Sequence, residues 1–230
     1  MPFSRKKPEI QGGLSGTALK YIAMTTMLAD HIGAVLLERI VYYRGNLEQV
    51  AMLMTSQWGD TLYWLWRMLR TVGRIAFPIY CFLLVEGFLH TRDWRRYWLR
   101  MAAFALISEI PFRLAVWNTW AGGSSNVYVE LAIGLLVLRG LKQSEGLTQP
   151  RRAAGMAAVI GGGCLAAVFL KADYDMDGIL IISLFYLLRE KRIVQVMSGG
   201  ILSLLESWNM CYGAGILSAV PLYFYLSLIH

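Results

Sequence analysis

The feature that most limits this chain is a succession of apolar blocks, each long enough to make a buried helix and each set off by a short polar or basic stretch. The first begins near Ala18 and runs past Val35, and further blocks lie at about 72–89, 97–117, 126–141, 153–170, 178–189, 193–206 and 210–229. Only 16% of the 230 residues are charged while 57% are apolar, where soluble domains carry about 25% charge. Mean hydropathy is +0.48. The sequence therefore predicts an all-α polytopic integral membrane protein with about eight transmembrane helices. At about 20 residues per span, no separate soluble domain fits. Residues 1–17 read as a basic tail and residues 18–230 as one transmembrane helical domain.

The net charge of +7 is spread between hydrophobic segments and forms no single basic patch, which argues against a nucleic-acid partner. It reads instead as topology. With the amino terminus in the cytoplasm, the basic segments SRKK, HTRDWRRYWLR, RGLKQSEGLTQPRR and REKR all fall inside. The opposite loops WNTWAGGSSN, KADYDMDG and ESWN hold Lys171 against the acids Asp173, Asp175, Asp177 and Glu206. That asymmetry follows the positive-inside rule. The first block is too long for a signal-peptide core and lacks a small-residue cleavage site, so it reads as a retained span. One stretch departs from the pattern: Glu38 to Arg70 carries Arg39, Arg44, Arg67 and Arg70 beside Trp58, Trp64 and Trp66. It is expected to lie in the membrane interface, and whether residues 39–70 span or rest there stays open. Cys81, Cys164 and Cys211 each sit within an apolar block without Cys-x-x-Cys or Cys/His spacing, so they read as packing residues and no metal site is expected.

A charge near the bilayer centre costs at least about 2.5–3.5 kcal/mol, so such residues persist mainly where they pair or work. Asp30 and His31 occur in the first block, Arg74, Glu86 and His90 in the second, Glu109 and Arg113 in the third, and Glu130 in the fourth. The alternation of spans sorts them into two polar layers. His31, Asp30, Arg74, Glu109, Arg113 and Glu130 fall toward the outer side, and Lys20, Glu86 and His90 toward the cytoplasm. Glu86 with His90 and Glu109 with Arg113 are four apart, so each pair shares a helix face. Asp30 and His31 are neighbours, and each needs a partner from another helix. Lys20 and His31 are eleven residues apart, which returns to nearly the same face about 16 Å along the axis. That spacing suits a ligand with phosphates at one end and a reactive group on a thin arm, the shape of coenzyme A. For Lys20 and His90 alone, helix-end snorkelling or capping is the simpler account.

The strings LKYIAMTTMLADHIGAVL (Leu19 to Leu36), GRIAFPIYCFLLVEGFLHTRDWRRYWLRMAAFALISEIPFRL (Gly73 to Leu114), NVYVELAIGLLVL (Asn126 to Leu138) and ADYDMDGIL (Ala172 to Leu180) together resemble the TraX family. The namesake of that family acetylates the amino terminus of a conjugative pilin. The first block is more distantly similar to the opening helix of acyltransferase-3 proteins, in which a basic residue precedes a histidine at the Lys20–His31 spacing. Arg113 and Glu130 depart from the family's pattern, which has an acid and a threonine there, as changes expected to compensate each other.

The resemblance implies a membrane-bound acyltransferase of the bacterial inner membrane, moving an acetyl group from cytoplasmic acetyl-CoA to a pilin-like peptide or an envelope glycan at the lipid boundary. In that reading His31 is the base or acyl carrier, and Asp30 or Glu109 orients its ring. Arg74 offsets the oxyanion. Lys20 and Arg96, with Glu86 and His90 at the same level, form the coenzyme A end. The alternatives are a proton-coupled transporter, since intramembrane acids and histidines also move protons, and a non-catalytic membrane assembly factor.

Overall fold

The computed structural model describes residues 13–43, 55–56, 58–120 and 122–226, and among these it is helical with no strand. Helix α1, Gly16–His31, starts where the Ser15 hydroxyl accepts from the Ala18 amide at 3.1 Å. It passes directly into a π-helical stretch, Ile32–Tyr43. Helix α2 is Gly59–Gly73 and α3 is Ala76–His90, separated by Arg74 and Ile75. Helix α4, Trp94–Val116, is capped by Asp93, and α5, Val127–Ser144, by Asn126. Helices α6, Gln149–Phe169, α7, Asp175–Leu187, and α8, Arg192–Cys211, follow. A 3-10 turn, Ala214–Ser218, and a short helix α9, Ala219–Leu226, complete the described chain.

Five of the expected blocks match α4 through α8 to within a few residues. The last one differs. The block expected over 210–229 is not one helix, because Tyr212 (φ 51°) and Gly213 (φ 75°) take left-handed conformations that end α8. The amide of Gly213 then bonds the Ser207 carbonyl at 3.2 Å, and the chain folds back. The block expected over 72–89 is also longer than predicted. Together α2 and α3 make a 32-residue stretch, Gly59–His90, that contains a window long and apolar enough to span, with the tryptophan-rich segment as its first half. Residues 44–54, within the same stretch, and the tail at 1–12 lie outside the described residues.

Helices α1 and α2–α3 run antiparallel, with a register set by two glycines. Gly73 lies against the Asp30 side chain, and Gly33 has room for a Cβ only 3.2 Å from Leu69 and Arg70. Each step up one helix is a step down the other, which brings Lys20 opposite Leu83 at the far end. Helices α3, α5 and α7 supply the centre, with Phe77, Phe82, Leu138, Ile181 and Phe185 all buried. Around them the surface is oily: Leu106 is 77%, Leu165 73% and Phe169 86% exposed. Isolated exposed leucines are ordinary, but continuous apolar faces on α2, α4 and α6 are not. Gly59–His90 and Gln149–Phe169 are both long and apolar enough to cross a membrane.

Candidate functional site

At the Lys20 end a cleft of about 790 Å³ opens between α1, α3 and the start of α4. Its rim is basic, with Lys20, His90, Arg92, Arg96 and Arg100. Its floor is apolar and aromatic, with Met24, Tyr80, Leu84, Tyr97, Tyr128 and Leu131. The chain turns at Thr91–Asp93, and Asp93 accepts from the Arg95 and Arg96 amides at 3.1 and 3.2 Å. This starts α4 so that Arg96 and Arg100, four apart, share one face at the cleft, with Arg92 reaching it from the preceding turn. Gly87 makes room, since a Cβ there would sit 2.9 Å from the Tyr97 hydroxyl. Lys20, His90 and Arg96 thus line one cleft. Glu86 is not with them. Its carboxylate pairs with Arg192 of α8, and the His90 ring bonds the Glu86 carbonyl at 2.8 Å with the carboxylate 4.0 Å away. Glu86 joins α3 to α8 and does not line the cleft.

At the other end of α1 the charged groups of four elements meet. Asp30 takes Arg70 of α2 at 2.7 Å, and Arg74 reaches Glu206 of α8 at 3.3 Å. The Tyr174 ring stacks on Phe77 at 3.5 Å and lies 6.0 Å from the Arg74 guanidinium. Burial pushes the Tyr174 phenol well above the ordinary tyrosine range against the pull of Arg74, so it stays protonated. The His31 Nδ1 lies 2.8 Å from the Met27 carbonyl. A carbonyl only accepts, so Nδ1 is the donor of this contact, and in a neutral ring Nε2 carries the lone pair. The two acids expected to orient this ring bond other groups, although Asp30 Oδ1 has no hydrogen-bond partner among the described residues. Asp30 bonds Arg70, while Glu109 bonds Arg113 at 2.6 Å and both the amide and the side chain of Asn126. Glu109 therefore fastens α4 to the start of α5.

Comparison with known proteins bears on this arrangement. The description "TraX protein" covers a family profile that matches residues 15–220. The chain belongs to the TraX family. A further similarity, 39% identical over 67 residues, is to a Dichelobacter nodosus protein named "Probable fimbrial assembly protein FimC, serogroup H1". That match covers 29% of this chain and 25% of the relative, so the chain spans about a quarter of that protein's length. No solved structure matches.

In this TraX-family chain the second departure, Glu130, does not compensate Arg113. Arg113 bonds Glu109 and the Gly122 carbonyl, whereas Glu130 is fully buried and lies at the level of Tyr174 and Gly178. It packs on Gly178, where a Cβ would come within 2.5 Å of its Oε1. Glu130→Gln keeps the size of the side chain and an acceptor oxygen, so thermal unfolding in detergent is expected to place it within about 1 kcal/mol of the parent. Glu130→Ala leaves a void and is expected to lose about 2 kcal/mol or more. Sequence reasoning missed the part played by Arg70, Glu206 and Tyr174. The signal available for Tyr174 was its place in the dense acidic string ADYDMDG.

Proposed function

We propose that the chain is a multi-pass protein of the bacterial cytoplasmic membrane, with its amino terminus inside, that transfers an acetyl group from acetyl-CoA to an amine or hydroxyl acceptor. A pilin-like amino terminus or an envelope glycan fits that acceptor. The observation that carries this reading is the cleft itself, a basic rim over an aromatic floor at one end of the helix whose other end holds His31. Lys20, Arg92, Arg96 and Arg100 suit the coenzyme A phosphates, and the floor suits its uncharged arm. Met24, one turn above Lys20, is the innermost α1 residue of the cleft, and His31 lies about 10 Å further along. The arm would extend along α1 past Met27.

The chemistry follows from the tautomer. The acceptor nitrogen or oxygen attacks the thioester carbonyl while His31 Nε2 takes its proton, and that proton returns to the departing thiolate as the carbon–sulfur bond breaks. Arg74 would offset charge on the tetrahedral oxygen. Belonging to the TraX family and the similarity to a fimbrial assembly protein support a pilin-related role. The same similarity favours the second reading, an assembly factor that binds pilin without chemistry. Purified protein in liposomes with labelled acetyl-CoA and a pilin-like peptide separates the two. Label transfer is expected, and His31→Ala is expected to lower it by about a thousandfold or more. Peptide binding with no transfer would favour the assembly factor, and transfer indifferent to His31 would overturn the role given to His31.

A further inference from the structure

We infer that the hydroxyls of Tyr80 and Tyr128 hold the amide nearest the diphosphate in the arm of coenzyme A, so that the cleft selects a pantetheine thioester as its acyl donor. The inference rests on the acetyl-transfer reading above and deepens it by assigning partners to the arm. Two separate measures put both rings at one level of the cleft. Tyr80 lies ten residues before His90 on α3, about 15 Å from the mouth. Tyr128 stacks on Phe104 with ring centroids 6.0 Å apart, and Phe104 lies ten residues after Trp94 on α4, also about 15 Å in. The start of α5 is fastened at that level. The Asn126 side chain donates to the Ala105 carbonyl at 2.8 Å and accepts from the Tyr128 amide at 2.9 Å.

The reach of the donor matches this level. Lys20 stands opposite Leu83, seven residues before His90, and Arg100 stands six residues after Trp94, so both cations line the cleft about 10 Å inside its mouth. A diphosphate held there lays the first amide of its arm about 5 Å further in, beside the two phenols. The whole arm has as many chain bonds as about four residues and extends about 14 Å. That length is close to the rise of about 16 Å from Lys20 to His31. Beyond Lys20 and Arg100, the polar side chains that line the cleft among the described residues are Tyr80 and Tyr128, while Met24, Met101 and Leu131 beside them are apolar. An amide that leaves water for such a lining costs free energy unless both of its groups are matched. Two phenols match them. One hydroxyl donates to the amide carbonyl, and the oxygen of the other accepts from its N–H.

The simpler account makes both rings packing alone, and phenylalanine keeps the packing while it removes the hydroxyl. Liposome-embedded parent, Tyr80→Phe, Tyr128→Phe and the double variant are titrated with coenzyme A and with 3′-phospho-ADP, which carries the phosphates without the arm, and binding is read by calorimetry. Each phenylalanine is expected to weaken coenzyme A binding about tenfold, and the two together about thirtyfold or more. Affinity for 3′-phospho-ADP is expected to stay at the parental value in all of them. In the transfer assay the same loss is expected in KM for acetyl-CoA, with a much smaller change in kcat. Should Tyr80→Phe not fold, Tyr128→Phe carries the same measurement. Folded variants that bind coenzyme A as the parent does would overturn this inference and leave the acetyl-transfer reading standing, and so would an equal loss of 3′-phospho-ADP binding. A parent that binds neither ligand would overturn both.

Discussion

Gly73→Val is expected to break the polar junction between α1 and α2 and to cost about 3 kcal/mol or more of stability. A Cβ at 73 collides with the Cβ of Asp30, so the two helices must separate at the level where Arg70 reaches across. Separation pulls apart a partly buried ion pair, whose side chains are only 14% and 19% exposed. Removing one partner of such a pair is far more damaging than never having built it. Thermal unfolding in detergent measures the loss. Gly162→Val is the control, because nothing lies within 4 Å of a Cβ at that position. If Gly73→Val melts with the parent, the helix register is not as described.

The second large effect falls on the cleft. Reversing Lys20 and Arg96 together, to Lys20→Glu with Arg96→Glu, is expected to raise KM for acetyl-CoA by about a hundredfold with a much smaller change in kcat. Each lost charge-assisted contact to a phosphate is worth about 1.5–3 kcal/mol, and one power of ten is about 1.4 kcal/mol. Both side chains are exposed at the rim, so folding should tolerate the change. Arg151→Glu, at the exposed start of α6, makes the same kind of charge change away from the cleft. An equal rise in KM for that variant would mean that overall charge, not this site, attracts the cosubstrate.

The apolar blocks revealed α4 through α8 because hydrophobic length is a property of each segment alone. They did not reveal α2, since Gly59–Gly73 mixes arginine and tryptophan and reads as interfacial until its continuation through Ile75 is seen. Nor did they reveal the break at Tyr212–Gly213, which lies inside an otherwise apolar run. For the site, spacing predicted partners only within one helix. Glu109–Arg113 was legible in that way, and so was the need of Asp30 for a partner elsewhere. Which partner it finds depends on how two helices slide past each other. Arg70, Arg192 and Glu206 therefore came from the structure.

The glycine contacts at 33 and 73 also turn residue count into a structural quantity. Deleting one residue between Met24 and Asp30 would rotate the remainder of α1 by about 100° and shorten it by about 1.5 Å. His31 would then leave its stripe although no functional side chain had been altered. Natural variation in this helix should accordingly exchange one residue for another and leave the spacing from Lys20 to His31 intact.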